Sequence, residues 1–150
     1  MQRLSFSLIL TLIVSVNTSA SASLRSNQPA TSQTQASDLV LKASASQFVG
    51  VQHPTSGQAQ IVEEGGAKYL ELSQDFQSDR GPDLKVILHK ASTVNQKVQE
   101  GDYVNLGLLK SFNGSQRYLI PDEVDLTQYQ SVAIWCEEYN VTFGYAPMAQ

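Results

Sequence analysis

The stretch "QAQIVEEGGAKYLELS", residues 58–73, decides the fold class. On either side of Gly65-Gly66 the residues alternate apolar and polar, the period of a strand with one face buried. Paired glycines between two such runs supply the positive φ angles of a tight hairpin turn. The same grammar continues outward. "DRGPD" (residues 79–83) reads as a turn, and "LKVILHKA" resumes the alternation with Leu84, Val86 and Leu88 on one face. "DYVNLGLLKS" and "SQRYLIP" flank Asn113-Gly114, a second hairpin signal, and Pro121 closes that strand. "DEVDLTQY" reads as an irregular connection or a single helical turn. "SVAIWCE" and "VTFGYAP" make two more strands joined around residues 138–140. No segment of useful length beyond the N-terminus keeps apolar residues at helical spacing. The expectation is an all-β domain, a small antiparallel β-sandwich or barrel-like fold.

Upstream, "MQRLSFSLILTLIVSVNTSASAS" places Arg3 before an apolar stretch at residues 4–16. Ala20, Ser21 and Ala22 then offer the small side chains that signal peptidase accepts. This apolar core falls short of the roughly 20 residues a membrane-spanning helix needs. Residues 1–22 therefore read as a signal peptide, and the mature form is expected to have no membrane span. The expected localisation is periplasmic or extracellular, in a bacterial protein. Residues 23–38, rich in Ser, Gln, Thr and Ala, lack the apolar content to order themselves and read as a flexible low-complexity spacer. The β domain is expected over residues 39–150.

The chain carries 10 Lys+Arg against 14 Asp+Glu, a formal net charge of −4. An acidic chain with no run of Lys or Arg lacks the electrostatic footprint for nucleic acid or anionic lipid. It shows no Ser-His-Asp ordering, no Gly-rich phosphate loop and no Cys-x-x-Cys, so no catalytic constellation marks it as an enzyme on its own. Asn113-Gly-Ser and Asn140-Val-Thr match glycosylation sequons, which matter only on a eukaryotic secretory route.

Chemistry then centres on the one cysteine, Cys136, which follows the one tryptophan, Trp135. Exported domains commonly staple themselves with pairs of cysteines, and this one has no second thiol to close a bridge. A lone thiol working in redox chemistry needs a mixed disulfide with a partner, oxidation to sulfenic acid, or a metal. Strand alternation puts Cys136 beside Val132 and Ile134, with Trp135 opposite. An apolar face with Glu137 and Glu138 next door argues against an activated thiolate. The competing reading is a small buried hydrophobe. Companions for a metal or haem ligand are His53, His89 and Met148. His53 precedes Pro54 in a turn, and alternation places His89 opposite Leu84, Val86 and Leu88, toward solvent. The carboxylate groups Glu63-Glu64 and Asp122/Glu123/Asp125 lack the spacing of a calcium loop. Asp83 is expected to hydrogen-bond within its own turn.

Four segments carry a family resemblance: "FVGVQHPTSGQAQIV", "YLELSQDFQSDRGPDLKVIL", "NLGLLKSFNGSQRYLIP" and "YQSVAIWCEEYNVTFGYAPM". Together they resemble the DM-thirteen domain, also called the electron-transfer DM domain, with Gly81-Pro82-Asp83-Leu84, Leu119-Ile120-Pro121 and "SVAIWC" before "FGYAP" as the most specific parts. The resemblance implies a β-rich domain whose cysteine, here Cys136, is a redox centre, either as a naked thiol or as ligand to a prosthetic group such as haem. It also implies a protein partner or a membrane redox protein, since such modules sit beside DOMON domains and membrane b-type cytochromes. This sequence holds neither companion. Two functions are thus expected to compete: exported redox or electron transfer through Cys136, and a non-catalytic binding or adhesion module with a structural cysteine.

Overall fold

The glycine-centred hairpin forms as the alternation predicts. β4 (Gln58–Glu64) and β5 (Ala67–Leu72) pair antiparallel with Glu64 opposite Ala67, and the turn between them holds Gly65 at φ 60° and Gly66 at φ 80°. Such angles strain any residue with a Cβ, which is why glycine occupies both positions. The computed structural model containing this hairpin describes residues 44–148; the expected signal peptide and spacer lie outside them.

The other strands in chain order are β1 (Ser46–Gln47), β2 (Val49–Gly50), β3 (Thr55–Ser56), β6 (Gln77–Ser78), β7 (Leu84–His89), β8 (Tyr103–Leu108), β9 (Gln116–Ile120), β10 (Ser131–Cys136) and β11 (Val141–Pro147). A 3-10 turn at Leu126–Gln128 realises the single helical turn expected there, capped by the Asp125 carboxylate, which accepts from the Thr127 N–H at 3.0 Å. The chain is all-β. A four-stranded sheet runs β1-β4-β5-β9, a five-stranded sheet β2-β11-β10-β7-β8, and β3 pairs with β6 as a separate ribbon; every pairing is antiparallel.

The two main sheets pack face to face as a sandwich. Ala59, Leu70, Leu72, Tyr118 and Ile120 from the first meet Leu84, Val86, Leu88, Val132, Ile134, Cys136 and Phe143 from the second. Each fully buried large apolar side chain stabilises the fold by about 1.5–3 kcal/mol relative to exposure. Tyr118 sits in this core because its hydroxyl is paired: it donates to Gln116 Oε1 at 2.6 Å and accepts from the Lys110 N–H at 2.9 Å. A second apolar layer covers the other face of the five-stranded sheet, where Val94 and Val98 close over Ile87, Ala133 and Trp135.

Two expectations are corrected. Asn113-Gly114 does not close a hairpin: β8 pairs with β7 and β9 with β5, so the segment between them crosses from one sheet to the other. Its backbone bonds instead to the β6 region, Gly114 N–H to Phe76 O and Ser78 N–H to Phe112 O, both at 2.9 Å. Gln116 Oε1 accepts from the N–H groups of Lys110 and Ser111, which folds the segment back on itself. His89 is not solvent-exposed but 8% exposed. The layer beyond the β7 outer face buries what simple alternation assigns to water.

Candidate redox site around Cys136

Cys136 is the last residue of β10, held between Leu84 on β7 and Val141 on β11. It faces the inter-sheet core together with Val132 and Ile134, while Trp135 points to the opposite layer, as the strand period predicts. The residue is 1% exposed. Its S–H donates to the carbonyl of Pro82 at 3.1 Å. Pro82, which covers the sulfur on this side, is itself exposed.

The segment 79–83 forms this cover, and several contacts fasten it. Gly81 lies so close to Phe143 that an added Cβ would stand 2.7 Å from its Cζ. The Asp83 carbonyl accepts from the Glu137 N–H at 3.2 Å, with Asp83 at φ 48°. Its carboxylate, expected to bond within its own turn, pairs instead with Lys85 Nζ at 2.8 Å, and Lys85 also reaches Glu137 at 3.2 Å. The Asp83 hydrogen bond, ahead of Glu137, raises the Lys85 ammonium above its ordinary value. At the other end of the segment, His53 Nδ1 lies 3.2 Å from Asp79 Oδ2 while its ring stacks on Phe143 with centroids 3.9 Å apart. Beside this pair, the β3–β6 ribbon, Gly50, Pro54 and Asp79 line an open hollow of about 280 Å³.

The remaining companions are elsewhere. His89 lies opposite Ser131, at the far end of β10 from Cys136, and Met148 N–H bonds to Gln130 O at that same end. Five strand residues at about 3.3 Å each put roughly 16 Å between the two ends. His89 Nδ1 accepts from the Ala91 N–H at 3.0 Å. Among the described residues no three His, Cys, Asp or Glu side chains converge. A haem ligated by Cys136 does not fit: the sulfur is walled by strands on both sides and its proton is committed to Pro82. Nor do the carboxylate groups form a site. Glu64 is bound by Arg117, which also holds Glu71, and Asp125 is a helical cap whose carboxyl the Thr127 hydroxyl draws below its usual range.

One functional-looking arrangement escaped the sequence reading. Trp135 is 4% exposed and its Nε1–H donates to Asn140 Oδ1 at 3.0 Å. Asn140, at φ 49°, also accepts from the Val98 N–H at 3.0 Å and donates to the Val98 carbonyl at 3.1 Å. The Asn140 sequon is therefore consumed structurally, and Thr142 within it is fully buried. The signal available beforehand was an Asn at a strand–turn–strand corner, where a positive φ suits it.

A family model described as "Electron transfer DM13" matches residues 47–148 of the chain. No curated protein and no solved structure matches it.

Proposed function

On the premise that the chain belongs to the Electron transfer DM13 family, a family of redox function, we propose that it works as an exported domain with Cys136 as its reacting atom. The observation that carries the choice of atom is the hydrogen bond from the thiol to Pro82, an exposed residue of the cover. Displacing segment 79–83 exposes the sulfur without separating the sheets. The step is then thiol–disulfide exchange with a protein partner. Cys136 sulfur bonds to one sulfur of the partner's disulfide, that S–S bond breaks, and the departing sulfur takes up the proton that Cys136 releases. No step is assigned to haem, since the residues do not fit it. Export rests on the pattern of residues 1–22, and a mature N-terminus at Ser23 is the result expected from N-terminal sequencing.

The near-complete burial of Cys136 favours a second reading, a non-catalytic extracytoplasmic binding module in which the cysteine packs the core. Glutathione disulfide separates the two. Under the redox reading, folded protein gains one glutathione by mass at a rate faster than global unfolding, while the amides of β10 stay protected from hydrogen exchange. Glutathionylation no faster than global unfolding would hand the function to the binding module.

A further inference from the structure

The face of the five-stranded sheet turned away from Cys136 carries the one tryptophan and two of the six tyrosines. The ring centroids of Trp135 and Tyr103 lie 5.0 Å apart at 52°. Tyr145 packs on the same layer, and Val94 and Val98 shut water out of it. Tyr103 is half-buried, so it links the enclosed indole to solvent. The indole N–H points at Asn140 Oδ1, and Asn140 is clamped in turn to Val98. A cation formed on the indole would therefore meet a fixed carbonyl oxygen at its N–H, and hydrogen bonds to a charged donor are the stronger ones.

Thiol exchange requires sulfur to touch sulfur. Electron movement between aromatic rings requires only close approach, and a covered site does not prevent it. We infer that Tyr103 and Trp135 form a one-electron relay, with Tyr103 as the surface port and Trp135 as the enclosed site behind it. The inference rests on the electron-transfer reading of the family but not on Cys136. A radical or high-valent metal centre on a partner, a one-electron oxidant of higher potential than the indole, removes an electron from Trp135 and leaves a radical cation whose N–H stays on Asn140. Tyr103 refills the indole with one electron, and its phenolic proton passes to water, leaving a tyrosyl radical. A one-electron reductant meeting Tyr103 supplies an electron, and water returns the proton, which restores the phenol. The net result is one electron carried from reductant to oxidant.

Flash oxidation with a photo-excited ruthenium polypyridyl complex and a sacrificial acceptor tests this on the folded protein. Tyr139→Phe is used as background, because the 63% exposed Tyr139 would otherwise compete for the oxidant. The indole radical is expected to decay as a tyrosyl signal grows. Tyr103→Phe, which keeps the ring and the packing, is expected to lengthen the indole radical's lifetime several-fold and to abolish that growth. Tyr145→Phe is expected to leave both unchanged. An equal lifetime in the Tyr103→Phe protein, or a lengthening confined to Tyr145→Phe, overturns the relay. Cys136→Ser is expected to show the same transients as its parent. Retained transients there keep the relay standing even where the sulfur proves inert, and their loss overturns it in favour of the thiol.

Discussion

The two main sheets meet the same core but differ on their outer faces. In the four-stranded sheet, β9 alternates strictly between buried and exposed, and Arg117, Glu71 and Glu64 form an ion-pair group on its wet side. In the five-stranded sheet all six residues of β10 are buried, because a loop layer covers the far side. A sheet wet on one face is written as alternation, and one covered on both faces is written as a continuous apolar run. "SVAIWC" is such a run. The same double covering encloses the thiol on one side of β10 and the indole on the other.

The contrast is open to breakage by mutation. Trp135→Ala removes the largest side chain of the outer layer and should destabilise the fold by about 3–5 kcal/mol. Urea unfolding followed by far-UV circular dichroism measures it. Asn140→Ala leaves the indole N–H and the Val98 peptide groups without their partner and should cost about 1–3 kcal/mol, again as a lowered urea midpoint. His89 gives a pH effect smaller than either. Burial pushes its imidazole below the ordinary value of 6.5, against the opposing pull of the Asp102 carboxylate. The unfolded chain therefore takes up this proton more readily, so the stability His89 contributes is present above pH 6.5 and is lost as pH falls through the folded value. A melting temperature that drops on acidification in wild type, and drops less in His89→Gln, would show it. On the wet sheet, Arg117→Gln should lower the urea midpoint least of all, and added salt should shrink even that. A loss as large as that of Trp135→Ala would erase the distinction between the faces.

Legibility in the sequence followed the same division. The β4–β5 hairpin, the β10–β11 corner and the inward direction of Cys136 could be read directly, because local period and turn chemistry determine them. The crossing at Asn113-Gly114 could not, since a two-residue turn signal carries no information about which sheet the next strand joins. His89 was assigned to solvent because nothing in "LKVILHKA" announces a loop packed above it. The clamp of Asn140 on Val98 joins positions 42 apart in the chain, beyond any local pattern. The strand period put the thiol on the face of Val132 and Ile134 but left its burial open, and the cover formed by Pro82 depended on a turn folding across the sheet end.

The Asn140 clamp also bears on how the protein is to be produced. Oligosaccharide transfer in a eukaryotic secretory pathway meets the nascent chain before Asn140 has found Val98 and Trp135. A sugar on that amide would block the inward-facing bonds and leave the loop layer unable to close. Bacterial expression avoids the conflict, and yeast or insect secretion should yield folded material only from molecules that escaped modification at this position.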